Sequence, residues 1–249
     1  HLIYRQFSIP PKFTEFLSRP WTIVSYGFAH SIGLYHILFN MLGLYWFGRV
    51  FNEYLGSDKL IAVYILGTLA GGLIYLTMFN TIPFFAAQQD SFSGMVGASA
   101  ALYAVMIASA TLLPDYSFFL IFFGPVKIKY IALFFIVGSF IGTVQENAGG
   151  NLAHLGGAFM GFVYVKQLQA GVNWGGWITV TLDWFKGLLS SKPKVKVTYR
   201  KDEPLKKKSS GLNKASQEEI DVILDKISDR GYESLTKEEK EKLFNASKK

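Results

Sequence analysis

One uncharged stretch of twenty residues, 94–113, restricts what this chain can fold into. A helix rises about 1.5 Å per residue, so a helix of this length would cross the hydrocarbon core of a bilayer, which is about 30 Å thick. Ser99 lies near the start of the stretch and is flanked by glycine and alanine residues. In most membrane helices a serine hydroxyl only bonds a backbone carbonyl or permits close packing. Here the small neighbours also leave the hydroxyl open to a substrate.

Four other segments of the chain are similarly apolar. Half of all residues are hydrophobic, 17% are charged, and only eight of the 25 Lys and Arg residues precede residue 186. An apolar body followed by a basic tail indicates an integral membrane domain with a water-facing extension, not a soluble protein with a large core. We therefore predict an all-α fold, a polytopic bundle of membrane helices. The five predicted spans are residues 36–51, 60–79, 94–113, 130–144 and 151–168.

Proline-rich, tryptophan-rich and polar segments divide the chain further. Residues 1–35 contain three prolines and many aromatic residues, and residues 171–190 contain three tryptophans, so both are predicted to be interfacial. Residues 36–170 form the predicted membrane core, and residues 191–215 form a basic linker. Residues 216–249 are predicted to be a small helical hairpin, because two capping boxes flank a glycine that would end the first helix. These residues are Ser216 with Glu219, Thr236 with Glu239, and Gly231.

Positive charges in the loops predict the orientation of the chain, because Lys and Arg accumulate on the cytoplasmic side of membranes. The connections 80–93 and 145–150 contain neither residue, whereas 49–59 and 114–129 contain two each. Together with the basic tail, this charge distribution predicts a cytoplasmic C-terminus and a first visible span that begins on the outer side. The net charge of +7 is accordingly interpreted as a preference for the lipid bilayer and not for nucleic acid. The sequence points to no particular partner for the tail.

Four polar residues lie at similar depth if the spans alternate in direction. His36 and Asn40 begin the first span, Ser99 lies near the start of the third, and His154 lies near the start of the fifth. Each is within about two helical turns of the outer end. Ionisable residues inside a membrane are costly, so their convergence in one layer predicts a functional site. His154 would take the proton of Ser99, and His36 and Asn40, on one helix face, would donate to an oxyanion together with the Ser99 amide.

Contact between the third and fifth spans is a condition for this chemistry. Gly97, Gly157 and Gly161 are predicted helix-packing residues, because small side chains let two membrane helices approach closely.

The chain has no cysteine, which excludes disulfides, thiolate nucleophiles and Cys-ligated metals.

Each of the four polar residues also has a simpler interpretation when taken alone. The serine would be a packing residue, the histidines would bond a carbonyl or line water, and the asparagine would join two helices by a hydrogen bond. Ser93, Ser109 and Ser139 are interpreted as structural, since no histidine at their depth is left without a better partner.

At these residues the sequence resembles the rhomboid family of intramembrane serine proteases. The family pattern is His-x-x-x-Asn on the second spanning helix, Gly-x-Ser-Gly on the fourth, and Ala-His-x-x-Gly-x-x-x-Gly on the sixth. The matching stretches here begin at His36, Gly97 and Ala153, in the same order, across about residues 20–170. Ala100 stands where the family usually has glycine.

The resemblance implies a serine endopeptidase with a Ser-His dyad that cuts a transmembrane protein substrate without a cofactor or metal. By this resemblance Ser99 is the nucleophile, His154 is the general base, and His36 and Asn40 contribute to the oxyanion site. Two other functions stay open. One is a catalytically inactive rhomboid-like protein that binds membrane helices. The other is a small transporter or channel, which would need polar residues continuing into the cytoplasmic half of the spans.

The resemblance also implies how much of the membrane domain is visible. A rhomboid core has six spans with an amphipathic loop after the first, and residues 1–35 resemble that loop. The first span is therefore expected upstream of residue 1. The implied location is the bacterial inner (plasma) membrane, with the C-terminal tail in the cytoplasm.

Overall fold

The structure is a computed structural model that describes residues 2–31, 33–145, 147–189 and 217–247, and it divides into two compact units, residues 1–192 and 193–249. The predicted all-α class is confirmed, because helices dominate both units. The first unit contains α1 (Leu2–Phe7), α2 (Phe13–Ser18), α3 (Thr22–Ser25), α4 (Leu34–Leu55), α5 (Ser57–Thr81), α6 (Pro83–Ala86), α7 (Ser99–Leu112), α8 (Ile128–Gly142), α9 (Ala148–Gln169) and α10 (Gly176–Leu189), with strands β1 (Ser117–Leu120) and β2 (Gly124–Lys127).

Helix length bears on the predicted spans. By length and composition, α5 is the one helix in the described ranges that could cross a membrane alone, and α7 and α8 are apolar but shorter. A bilayer core needs about 20 helical residues, whereas α7 has 14 and α8 has 15. The count of five spans therefore stays a prediction. The two segments predicted to be interfacial contain helices, α1 to α3 in the first and α10 in the second.

Helix α7 is shorter than its predicted span because the first five residues of that span are not helical. Gly94 and Gly97 have φ angles of +105° and +137°, which residues with side chains rarely adopt. Between them, Met95 pairs with Ile9 through two backbone hydrogen bonds of 3.0 Å. The predicted span of residues 94–113 is therefore wrong at its start, and the helix begins at Ser99.

Helix α7 packs against both α5 and α9, which also contact each other, and ten of its residues are buried. The contact with α9 is made by backbone. A Cβ placed on Gly157 would lie 2.0 Å from the Ala100 carbonyl oxygen, and one placed on Gly161 would lie 2.1 Å from that of Ala104. Both distances are far below van der Waals contact, so α9 lies directly against the α7 backbone at these two turns.

The segment 117–126 is apolar but too short to cross a bilayer, and Gly124 and Pro125 interrupt it, so the sequence predicts an interfacial loop. The structure instead forms a β-hairpin there. Strands β1 and β2 pair antiparallel, and Gly124 has a φ of +71°. Asp115 accepts hydrogen bonds of 2.9 Å from both Lys129 and Lys127. These hydrogen bonds and the two positive charges lower the pKa of Asp115 to about 2. The carboxylate therefore stays charged at neutral pH and ties β2 and the start of α8 to the end of α7.

The second unit consists of a pair of helices, as predicted. Gly231, with a φ of +76°, ends the first helix. The Thr236 N–H donates to the Glu239 carboxylate at 2.8 Å and the Glu239 N–H donates to the Thr236 hydroxyl at 3.3 Å, which is the predicted capping box. Ser216 of the other predicted box and the linker 191–215 lie outside the described residues. The helices are α11 (Gln217–Arg230) and α12 (Lys237–Ser247), joined through a short 3₁₀ turn, Tyr232–Ser234.

Candidate active site

Ser99 is the first residue of α7, and the loop before it is held in place by backbone hydrogen bonds. The Gly97 N–H donates to the Tyr26 carbonyl at 2.9 Å, and the N–H of Leu102 donates to the carbonyl of Ala98. The amides of the first helical turn have no carbonyl partner within the helix, and they lie at the positive end of the helix dipole. The Ser99 hydroxyl therefore lies where a developing negative charge is stabilised.

His154 of α9 contacts the Ser99 hydroxyl. Its Nε2 lies 2.8 Å from Ser99 Oγ, within hydrogen-bond reach for a nucleophile and its base. Its Nδ1 lies 3.1 Å from the Oγ of Ser139 in α8. One face of the imidazole stacks on the Tyr103 ring, with centroids 4.3 Å apart and planes 13° apart. The ring is thus held at both nitrogens and on one face.

His36 and Asn40 of α4 line the same cavity as Ser99 but make their hydrogen bonds elsewhere. The His36 Nδ1 lies 3.0 Å from Ser31 Oγ, and the Asn40 side-chain amide donates to the His36 carbonyl at 2.8 Å. Asn40 is buried, and one of its two amide hydrogens is used by that bond. Within the described ranges no hydrogen bond joins either side chain to Ser99.

Gly97 lies in the loop ahead of α7, which differs from its predicted role in helix packing. Its positive φ is not a helical angle, so the residue cannot be part of a helix face. A Cβ placed on Gly97 would lie 2.9 Å from His36 Cε1 and 3.5 Å from Ser99 Oγ. The missing side chain therefore leaves space between the histidine and the serine.

A cavity of about 1480 Å³ contains both Ser99 and His154 in its lining. Most of its wall is apolar, and a mostly apolar cleft with a few polar groups is typical of a binding site. No group of three or more His, Asp or Glu side chains in the described part of the chain could hold a metal ion. The apolar wall comes from α4, the hairpin and α8, and includes Leu42, Trp46, Phe118, Phe123, Ile131 and Phe134.

Two residues that contact His154 are not among the predicted site residues. Tyr103 follows Ser99 by one helical turn, so its position on the same side of α7 could have been read from the sequence. Ser139 belongs to another helix and is interpreted from sequence as structural. No spacing in the sequence indicates that it reaches His154, because that contact depends on how α8 packs against α9.

Ala100 occupies the position where the rhomboid pattern usually has glycine. A Cβ placed on Gly71 of α5 would lie 2.6 Å from the Ala100 methyl carbon, so that methyl points at a glycine. Ala100 is 1% exposed and does not belong to the described lining of the cavity. The extra carbon is therefore accommodated between helices, away from the Ser99 hydroxyl.

Comparison with known families gives a match to each part of the chain. The model of the Rhomboid domain matches residues 17–169, which is more than half of the chain. Residues 212–249 match a family of unknown function, DUF6576.

Three relatives are each similar to about three fifths of the chain. RHOMBOID-like protein 12, mitochondrial, of Arabidopsis thaliana is 31% identical over 159 residues, covering 60% of this chain and 47% of that protein. Rhomboid-like protein 16, chloroplastic, of the same plant is 24% identical over 175 residues, covering 64% and 52%. Rhomboid protein 1, mitochondrial, of Saccharomyces cerevisiae is 27% identical over 168 residues, covering 64% and 45%. The chain spans about half the length of these relatives.

Proposed function

Because the chain belongs to the rhomboid family of integral membrane proteins, we propose that it is an intramembrane serine endopeptidase. One observation carries the proposal, the 2.8 Å distance between Ser99 Oγ and His154 Nε2. The proposed substrate is a transmembrane protein, cut in or near one of its membrane helices. The chemistry of a serine and a histidine requires no cofactor.

The proposed reaction has two halves that use the same pair of residues. Ser99 Oγ attacks the carbonyl carbon of the substrate while its proton moves to His154 Nε2. His154 then gives that proton to the leaving amine, and an acyl-enzyme ester remains on Ser99. In the second half, His154 takes a proton from water while the water oxygen attacks the ester carbonyl. The ester bond then breaks, the new carboxylic acid leaves, and His154 returns the proton to Ser99 Oγ.

The oxyanion of each tetrahedral intermediate needs hydrogen-bond donors. We assign the first to the Ser99 backbone N–H, which lies at the free N-terminal end of α7. His36 donates from Nε2 when its Nδ1 accepts the Ser31 hydroxyl hydrogen, and Asn40 has one amide hydrogen left. The space left by Gly97 next to His36 is where we place the oxyanion.

Substitution of Gly97 by alanine tests this placement. The added methyl would lie 2.9 Å from His36 Cε1 and would occupy the proposed oxyanion space. We expect Gly97→Ala to lower kcat/KM by about 100-fold, the usual cost of a lost oxyanion contact. The measurement is the cleavage rate of a membrane-anchored reporter at several substrate concentrations.

Gly124→Ala is the matched control, because Gly124 also has a positive φ but has no atom within 4 Å of a built Cβ. Like Gly97→Ala, it places a side chain at a positive φ, which costs about 1–2 kcal/mol in the left-handed region, but it does not fill the cavity. We expect it to cleave the reporter at nearly the wild-type rate. Equal activity of Gly97→Ala and wild type would refute the placement of the oxyanion.

The location and orientation of the chain are also proposals. The apolar wall of the cavity suits a substrate helix that arrives through lipid. The distribution of Lys and Arg supports a cytoplasmic tail. A bacterial plasma membrane is proposed from the family resemblance of the sequence, whereas the names of the three relatives place those proteins in mitochondria or chloroplasts.

Labelling with a fluorophosphonate separates a protease from an inactive rhomboid-like protein that only binds membrane helices. An active serine attacks phosphorus through Oγ, loses its proton to the histidine and expels fluoride. We expect the wild-type chain to be labelled in membranes, and Ser99→Ala to remain unlabelled. Equal labelling of the two proteins would favour the binder.

A further inference from the structure

Ser139 connects His154 to a short chain of hydrogen bonds. The Ser139 side chain is 2% exposed, and its Oγ lies 3.1 Å from His154 Nδ1 and 2.8 Å from the Tyr103 hydroxyl. The Tyr103 hydroxyl lies 3.4 Å from the backbone carbonyl oxygen of Phe135. A carbonyl oxygen only accepts hydrogen bonds. The hydroxyl hydrogens therefore point towards Phe135, with Tyr103 donating to the carbonyl and Ser139 donating to Tyr103.

This direction decides which nitrogen of His154 carries the hydrogen. Ser139 has one hydroxyl hydrogen, and it is used in the bond to Tyr103, so Ser139 Oγ can only accept at Nδ1. His154 Nδ1 must then be the donor. In the neutral imidazole this leaves Nε2 without a hydrogen, and its lone pair points at Ser99 Oγ.

We propose that Ser139 is a positioning residue that holds His154 in the Nδ1–H tautomer, so that Nε2 is ready to accept the Ser99 proton. This inference rests on the proposed protease function. In a Ser-His-Asp triad a carboxylate fixes the tautomer of the histidine, but no Asp or Glu belongs to the described lining of this cavity. A neutral hydroxyl selects the tautomer without adding a negative charge beside the imidazolium that forms.

Kinetics of three serine variants test the role of Ser139. Ser139→Ala should lower kcat by about 10-fold to 100-fold and change KM less than about twofold, because the histidine is misprotonated while the cavity keeps its shape. Ser139→Thr retains the hydroxyl and should recover most of the loss. The matched control is Ser109→Ala, a buried serine of α7 whose Oγ bonds the Val105 carbonyl at 2.8 Å and does not touch His154. It should cleave like wild type.

The tautomer can be read directly from the ¹⁵N chemical shifts of the imidazoles. The chain has four histidines, so ¹⁵N-histidine labelling gives few signals, and His154→Asn identifies the ones that belong to His154. At neutral pH we expect wild type to show a hydrogen on Nδ1 and none on Nε2. Ser139→Ala should show a mixture of both tautomers. Tyr103→Phe should also show a mixture, because it frees the Ser139 hydrogen to donate to Nδ1.

The two measurements separate this inference from the proposed function. If wild type shows no Ser99-dependent cleavage or labelling, the protease proposal fails, and so does the claim that Ser139 assists catalysis. The NMR spectra still decide whether Ser139 sets the tautomer of His154. If wild type cleaves but Ser139→Ala keeps both its kcat and its tautomer, the Ser139 inference alone is overturned. Loss of kcat in Ser139→Ala with an unchanged tautomer also overturns it, because the loss is then structural.

Discussion

Ser99→Ala and His154→Ala are each expected to lower the cleavage of a membrane-anchored reporter by about 10⁴-fold or more. In the proposed reaction the Ser99 hydroxyl is the nucleophile and the imidazole 2.8 Å away removes its proton, so the loss of either group should stop the reaction. Both substitutions remove side-chain atoms from the wall of a cavity, so the chain should still insert and fold. The measurement is reporter cleavage in membranes, with expression of each variant followed on a blot.

The double variant sharpens this prediction. Residues that act as one unit have non-additive effects, so Ser99→Ala combined with His154→Ala should be about as inactive as either single variant. Ser109→Ala is the control, since it removes a buried hydroxyl from the same helix without touching His154. Cleavage retained by both single variants would exclude the dyad. Additive losses would indicate that the two residues do not work together.

The sequence predicts the helical class well and the ends of helices poorly. Long apolar segments indicate helices because only internally bonded backbone is stable in lipid, and α4, α5, α8 and α9 appear where such segments occur. The start of α7 depends on a contact distant in sequence, the pairing of Met95 with Ile9. Hydropathy does not report such pairing, and for the same reason it does not indicate the hairpin after α7.

In the candidate site, the main residues can be predicted from the sequence, but most of their contacts cannot. The similar depth of Ser99 and His154 comes from residue counts along alternating spans, and the structure brings the two side chains together. Depth does not fix the direction in which a side chain points, so it could not indicate that Asn40 bonds the His36 carbonyl or that Gly97 lies in a loop. No sequence pattern identifies Ser139 as a site residue, because α8 reaches the site only through tertiary packing.

Substitution of Gly157 should have a large effect, because this residue lies at a backbone contact between α7 and α9. A Cβ there would lie 2.0 Å from the carbonyl oxygen and 2.8 Å from the carbonyl carbon of Ala100. Neither atom can rotate away, because both belong to the backbone of a helix. Gly157→Ala must therefore push the two helices apart, by on the order of 1 Å if ordinary van der Waals distances are to be restored.

That displacement should affect stability and catalysis together. Overpacking of this kind costs about 1–3 kcal/mol of unfolding free energy. His154 lies three residues before Gly157 on the same face of α9, and Ser99 precedes Ala100, so the displacement also lengthens the hydrogen bond between the dyad residues. A misplacement of about 1 Å at a reacting centre can reduce the rate by about 100-fold. The loss of stability is measured by unfolding in detergent micelles. The loss of catalysis is measured by reporter cleavage at a temperature where the variant is still folded.

Gly187→Ala provides the comparison for Gly157→Ala. Gly187 also lies within a helix, α10, but a Cβ built on it has no atom within 4 Å. The same chemical change should there leave cleavage unaltered and stabilise the helix by up to about 1 kcal/mol, since alanine is the better helix former. If Gly157→Ala unfolded and cleaved like Gly187→Ala, α9 could not lie against the α7 backbone as described. His154 would then need another route to Ser99, because the approach of these two helices is what brings the two side chains together.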